Sequence, residues 1–353
     1  MRVRMVQVET RRLILTGDPT HDAPLIEQAA AVIRAGGLVA FPTETVYGLG
    51  ADALNAQAVR RIFEAKERPA WDPLIVHAVS IEQLRALVQA WSPAAETLAR
   101  HLMPGALTLV LPKAACVPDI VTAGRPTVAV RIPAHPVAQA LIRASGTPIA
   151  APSANRFGRP SPTDADHVLA DLEGRIELVL DGGPTPVGVE STVLDLTTQP
   201  PTILRPGGVS RETIEQLIGP VRLLEEALPE GQPLPSPGVM PRHYAPRVPL
   251  LLCPPEPEAF AQAVHDALHL YERVGAMTPE GWALPASPRV VHYAWGAWGD
   301  WHTLAQRLFA GLRWLEAQAV QAIVCPLPPA EQLALAIRDR LQRAATPPHN
   351  TPS

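Results

Sequence analysis

The sequence predicts an α/β protein in two parts, and three observations lead there. Short β-rich apolar runs alternate with amphipathic helical patterns along most of the chain. The 353 residues are 47% apolar, enough to build more than one core. The chain's 41 prolines thicken over residues 229–249, where a linker is expected. The expected organisation is a first domain over residues 1–219, a Pro-rich linker over 220–247, a smaller αβ domain over 248–346 and a frayed tail over 347–353.

The elements follow in order. A helical pattern begun after Pro24 ends at Gly36-Gly37 and gives way to an apolar strand over 38–41. Asn55 can cap the next helix, which runs towards Lys66. A strand over 74–79 precedes Ser80 and Gln83, whose spacing is that of a capping box, so a helix follows. Runs over 107–111, 127–132, 177–180, 192–196 and 202–204 read as further strands, with helices near 137–143 and 164–172. Beyond the linker, strands are expected at 248–252, 289–292 and 322–324, with helices over 258–274, 303–317 and 330–343. The first strand there leads into Cys253-Pro254-Pro255 rather than a Gly-rich turn, so this part lacks a dinucleotide fingerprint.

Composition narrows the function. Charged residues are 18% of the chain, 30 basic against 34 acidic, so no global field favours nucleic acid or an anionic membrane. An anion must be recognised locally. Cys116, Cys253 and Cys325 are isolated and odd in number, which argues against a disulfide framework and a zinc site and for buried thiols in an intracellular protein. No apolar stretch approaches the ~20 residues that span a bilayer, and residues 1–8 lack the apolar core of a signal peptide. A cytoplasmic protein is expected.

The chemistry gathers in polar loops at strand ends, where open α/β sheets bind ligands. Residues 42–50, PTETVYGLG, read as a loop that could bring hydroxyls and backbone close to a ligand, though threonines bonding their own backbone in an ordinary turn fit equally. Lys66 and Arg68 stand at a helix end, since Pro69 disfavours helical geometry at Arg68. Such cations can simply complement the helix dipole, but Asp72-Pro73 and the run to His77 place these two at a strand entrance. Opposite charges ~4 Å apart interact by ~4 kcal/mol at an effective dielectric near 20, against about 1 kcal/mol net for a neutral hydrogen bond. Two cations would therefore dominate the placement of a phosphate. Arg131 ends a valine-rich strand and suits bidentate capture of a carboxylate, or pairs with a nearby acid. Ser153 and Asn155 lie in a polar turn, Ser191 precedes a strand, and Arg205 leaves one before Gly207 and Gly208, which permit positive φ.

Taken together, these motifs resemble the threonylcarbamoyl-AMP synthase family over residues 26–210. The carriers are FPTETVYGL at 41–49, Lys66-x-Arg68-Pro69, Asp72-Pro73-Leu74, Pro104-Gly105-x-Leu107-Thr108, Ser153-Ala154-Asn155 and Arg205-Pro206-Gly207. The stretch 236–246, SPGVMPRHYAP, looks like the linker of the family's long form. The resemblance implies a YrdC-like twisted mixed-sheet catalytic domain and a smaller Rossmann-like second domain. It implies a nucleotidyltransferase that joins L-threonine, bicarbonate and ATP into threonylcarbamoyladenylate and pyrophosphate, for threonylcarbamoyladenosine modification of tRNA. Carried over by motif, Lys66, Arg68, Ser153 and Asn155 form the catalytic set around the phosphates. Thr45, His77, Arg131, Ala151 and Ser191 become threonine contacts. Asp72, Thr127, Ser161, Arg205 and Tyr244, with Arg68 and Ser153, become ATP contacts. Mg2+ would be held mainly by the ATP phosphates, with no protein metal site. The implied partner is a downstream tRNA threonylcarbamoyl transferase machinery, not a membrane.

Two departures stand out: Met103 where tryptophan is common, and Val239-Met240-Pro241 in place of a more basic linker stretch. The alternative is an RNA-binding YrdC-like module without adenylate-forming activity. The net charge of −4 and 5% aromatic content weigh against it and against direct tRNA binding. A second rival, carbamoyl transfer in hydrogenase maturation, would bring an acylphosphatase-like segment and zinc-finger cysteines that the sequence does not contain.

Overall fold

The structure is a computed structural model and describes residues 8–224 and 231–347; part of the expected linker and residues 348–353 of the expected tail lie outside the described residues. Two compact units emerge. The first comprises residues 1–157, 161–186 and 190–239, and the second comprises 158–160, 187–189 and 240–353.

The first unit begins with β1 (Arg11–Ile14), α1 (Pro19–Arg34), β2 (Val39–Pro42), β3 (Tyr47–Asp52), α2 (Ala56–Lys66) and β4 (Ile75–His77). It continues through α3 (Ile81–Ala86), α4 (Pro93–Leu102), β5 (Leu107–Pro112), β6 (Thr127–Arg131), α5 (Pro136–Ser145) and β7 (Ile149–Ala150). It closes with α6 (Ala165–Leu172), β8 (Leu178–Asp181), β9 (Thr192–Asp195), β10 (Thr202–Arg205), α7 (Arg211–Ile218) and β11 (Arg222–Leu223). The strands form one mixed sheet of eleven, ordered β1-β8-β2-β3-β7-β4-β6-β5-β9-β10-β11. Caps fix the helices where hydroxyl and amide residues stood in the sequence. Asn55 accepts from the Gln57 and Ala58 amides, and Ser80 accepts from Gln83 N while the Gln83 side chain takes Val79 N.

The alternation of side chains across this sheet positions the polar site. One face supplies Ala40, Leu49, Val76, Val130, Leu109 and Leu194 to the main core. On the opposite face, Val39, Phe41, Ile149 and Leu178 enter a second core that also contains residues of α1 and α5. Further along the same face, the residues alternating with Val76, Val130, Leu109 and Leu194 include His77, Arg131, Thr108 and Val193. His77, Arg131 and Thr108 thus put three polar groups on β4, β6 and β5, beside Val193 of β9.

The second unit contains β12 (Leu250–Cys253), α8 (Pro257–Leu270), β13 (Val274–Pro279), β14 (Val290–Gly296), α9 (Trp301–Ala317), β15 (Ala322–Pro326) and α10 (Gln332–Ala345). Its four strands are all parallel, in the order β12-β15-β13-β14. This is the layered plan of a Rossmann-like domain.

Three local expectations change. The stretch 42–50 is not one loop, because β3 begins at Tyr47 and pairs with β2. The helix expected to reach Val274 stops at Leu270, and Val274 opens a buried strand. The expected linker carries β11 and, from 231 to 239, belongs to the first unit. Cys253 and Cys325 are buried as expected, whereas Cys116 is exposed. No helix among the described residues is long and apolar enough to cross a membrane.

Candidate functional site

The end of α2 divides two cations. Glu67 caps the helix in the left-handed region, with φ of 54°, so Lys66 and Arg68 leave the turn in different directions. Arg156 and Arg175 both pair with the Glu67 carboxylate and hold that turn. Lys66, 1% exposed, donates from Nζ to the carbonyl of Ser153 at 2.6 Å and also to that of Asn155. The two polar clusters of the sequence, 87 residues apart, are therefore in direct contact. The loop is seated further by Leu49 N on Pro152 O and Ala154 N on Tyr47 O.

Arg68 turns the other way. It donates to Asp72 O at 3.1 Å and Pro73 O at 2.7 Å, and lies 3.0 Å from Asp72 Oδ2 as an ion pair. Asp72 is fully buried, and burial pushes its carboxyl up to about 6 although Arg68, Lys66 and Arg205 all pull it down. Three cations therefore surround a carboxyl on which burial outweighs their pull.

A second cluster lies on the polar face. Arg131, at the end of β6, donates from Nε to Gly105 O at 3.1 Å, from Nη1 to Thr45 Oγ1 at 3.1 Å and from Nη2 to Glu44 Oε1 at 2.6 Å. Glu44 Oε2 also accepts from Ala134 N at 3.0 Å. Burial works against the Glu44 carboxylate, but Arg131 outweighs it and leaves the group below its ordinary range. His77 stands beside Arg131 in parallel register and is 3% exposed. Burial, with Arg131 adding to it, drives its pKa down to about 3, so the ring is neutral. The threonines divide between the two readings the sequence left open. Thr43 bonds Val46 O within its own turn, while Thr45 serves Arg131.

A third cluster joins β5, β9 and β10. Ser191 Oγ lies 2.8 Å from Thr108 Oγ1, and Arg205 reaches Ser191 O at 2.9 Å and Ser191 Oγ at 3.3 Å. Gly207 makes this possible by close approach rather than positive φ: a Cβ there would sit 2.3 Å from Ser191 C and Thr192 N. Arg205 also donates to Pro237 O at 3.3 Å, Arg125 donates to Pro233 O at 3.0 Å, and Leu234 N bonds Trp71 O at 3.0 Å. Residues 233–237 thereby lie along the first unit beside Asp72 and Arg205.

The remaining predicted residues are placed as follows. Ala151, buried, donates its N–H to Ile75 O. Ser161 donates to the Glu190 carboxylate. Thr127 is part-buried at the start of β6, on the same face as Arg131 and four residues away. Tyr244 belongs to the second unit, where its buried ring lies 5.6 Å from Phe309 and 5.0 Å from the Arg340 guanidinium. Glu44, Thr108 and Glu190 bond to Arg131, Ser191 and Ser161 and stand outside the set the sequence singled out. Glu44 left a signal as an acid between two hydroxyls, and Thr108 as the last residue of the Pro104-Gly105-x-Leu107-Thr108 motif. Among the described residues no group of three or more His, Cys, Asp or Glu could hold a metal ion.

A family model described as "Telomere recombination" matches residues 31–207, and one described as "Threonylcarbamoyl-AMP synthase, C-terminal domain" matches residues 209–346. The chain is 46% identical over 335 residues to a threonylcarbamoyl-AMP synthase of Bacillus subtilis, covering 94% of this chain and 96% of that protein. It is 44% identical to one of Pyrococcus abyssi over 322 residues, covering 91% and 94%. The solved structure of P. abyssi Sua5 complexed with L-threonine superposes with a TM-score of 0.86 at 41% identity, covering 95% of this chain and 97% of that one.

Proposed function

The chain belongs to the threonylcarbamoyl-AMP synthase family, and we propose that it uses the polar face of its large sheet to join L-threonine, bicarbonate and ATP into threonylcarbamoyl-AMP and pyrophosphate. The observation that carries this is the contact of Lys66 with the Ser153–Asn155 turn, beside Arg68 and Asp72. In this reading the two buried cations, the Ser153 hydroxyl and the Asn155 amide serve the phosphates of one nucleotide.

Arg131 takes the threonine carboxylate in this reading, and Thr45, His77, Ala151 and Ser191 complete the amino-acid contacts. The threonine amine loses a proton and adds to the bicarbonate carbon, water leaves, and a carbamate forms. A carbamate oxygen then attacks the α-phosphorus while pyrophosphate departs. Lys66 and Arg68 spread the developing charge, with Ser153 and Asn155 donating beside them. Asp72, Thr127, Ser161, Arg205 and Tyr244 remain the proposed nucleotide contacts. No side-chain nucleophile is required, because alignment and neutralisation carry the step.

Mg2+ fits as a companion of the triphosphate. The fully buried Asp72 is committed to Arg68, so the metal would be held by phosphate oxygens and water and would offset phosphate charge. The product would pass to a separate transferase that modifies tRNA, in the cytoplasm, without direct tRNA binding by this chain.

The test is pyrophosphate release from ATP and bicarbonate with and without threonine. Release should require threonine, and Lys66→Ala or Arg68→Ala should each lower it by about 100-fold in a folded protein. Near-normal turnover in both variants sinks the assignment of these residues.

A further inference from the structure

We infer that Glu44 determines the specificity of the amino-acid subsite: paired with Arg131, it makes the subsite charge-balanced, so that a zwitterionic amino acid is preferred over a simple carboxylate anion. This rests on the reading above, in which Arg131 receives the threonine carboxylate.

The argument begins with the donors of Arg131. A guanidinium has five N–H groups, and three are spent on Gly105 O, Thr45 Oγ1 and Glu44 Oε1. Two remain for an incoming carboxylate. That carboxylate meets a cation already neutralised at 2.6 Å by a carboxylate of the protein. Both side chains are largely withdrawn from water, at 4% and 12% exposed. The second anchor of Glu44, on Ala134 N, ties it to the chain just after β6, so it is a fixed counter-charge.

The other titratable groups that face Glu44 leave this balance undisturbed. His77 is neutral, through burial and the nearby Arg131, and burial lowers the pKa of His135 as well. Arg131 and Glu44 therefore sum to zero. A bare hydroxy acid would add one uncompensated negative charge to this buried pair, whereas threonine brings its own ammonium and keeps the sum at zero. The same carboxylate also gives that ammonium an opposite charge to approach.

The experiment compares wild type, Glu44→Gln and Glu44→Asp in the pyrophosphate assay, with 3-hydroxybutanoate, which is threonine without its amine, as inhibitor. Glu44→Gln is expected to raise the threonine KM by about tenfold or more, while the ATP KM stays within about twofold. It should also strengthen inhibition by 3-hydroxybutanoate relative to threonine, because Arg131 is then uncompensated. Glu44→Asp keeps the charge and should keep the preference for threonine even where affinity falls. A merely structural role would move both KM values together and leave the ratio of hydroxy acid to threonine unchanged, which would overturn the inference. So would a folded Glu44→Asp protein that loses the preference, a measurement that stands even if Glu44→Gln fails to fold. Failure of the wild type to release pyrophosphate with threonine would instead refute the underlying function.

Discussion

His77 and Asp72 are both buried, and their pKa values move in ways that oppose each other in pH. His77 is held at about 3, below its ordinary 6.5. Above 6.5 it is neutral whether folded or not. As pH falls towards 3, the unfolded chain takes a proton that the native ring refuses, so stability is lost. Asp72 is raised from 3.8 to about 6. Between those values the native carboxyl keeps a proton that the unfolded chain releases, so stability is lost as pH rises. From about pH 4 to 6 the two linkages nearly cancel, each being worth about 1.4 kcal/mol per pH unit. Relative to wild type, His77→Gln should therefore grow less stable with rising pH over this window, and Asp72→Asn should grow more stable. Urea unfolding at pH 4.2, 5 and 5.8 reads both tilts, and parallel lines for all three proteins would show that neither group is shifted.

At the scale of elements, the junction of β9 and β10 depends on one missing methyl. A Cβ at Gly207 would collide with the Ser191 and Thr192 backbone, which is not the flexible end of a side chain. Gly207→Ala should therefore cost about 1–3 kcal/mol of stability and raise the threonine KM by displacing Ser191 and Arg205. A variant with unchanged melting temperature and KM would contradict this. Glycine also explains why parts of the fold were hard to read. Gly48 and Gly50 made β3 resemble a loop, yet a Cβ on Gly50 would come within 2.7 Å of Phe41 and 2.8 Å of Ile149, so the glycines let this strand pack closely. The helix expected to reach Val274 hid β13 for a related reason: Gly275 and Ala276 are weak strand formers, made into a strand by burial between neighbours. What periodicity and caps encode locally was legible, as at Asn55, Ser80 and the valine-rich β6. Contacts such as Lys66 with Ser153, or Glu44 with Arg131, depend on register between distant strands. The motif resemblance could name Lys66 and Ser153 as partners, whereas the local pattern showed Glu44 as an acid between two hydroxyls without showing its partner.

At the scale of the whole molecule, three hydrophobic cores among the described residues each draw on a single unit. The two cores flanking the eleven-stranded sheet use residues between Leu13 and Leu223, and the core around Phe260 and Val324 uses residues between Leu251 and Val324. A chain stopped after Val239 loses none of the first two cores. It also keeps residues 231–239, with Arg205 still bonded to Pro237 and Arg125 to Pro233. All the proposed threonine contacts, Thr45, His77, Arg131, Ala151 and Ser191, lie within it, as does Glu44. Such a chain should unfold in a single cooperative transition, since a cluster of this size needs no further apolar surface to offset chain entropy. It should also bind L-threonine by calorimetry within about threefold of the full chain's affinity, because a contact set left whole gives up far less than the 1.4 kcal/mol that a tenfold change requires. A non-cooperative melt would mean that the first unit draws stability from residues 240–353. A cooperative melt with threonine binding abolished would mean that the amino-acid subsite is completed from that part of the chain.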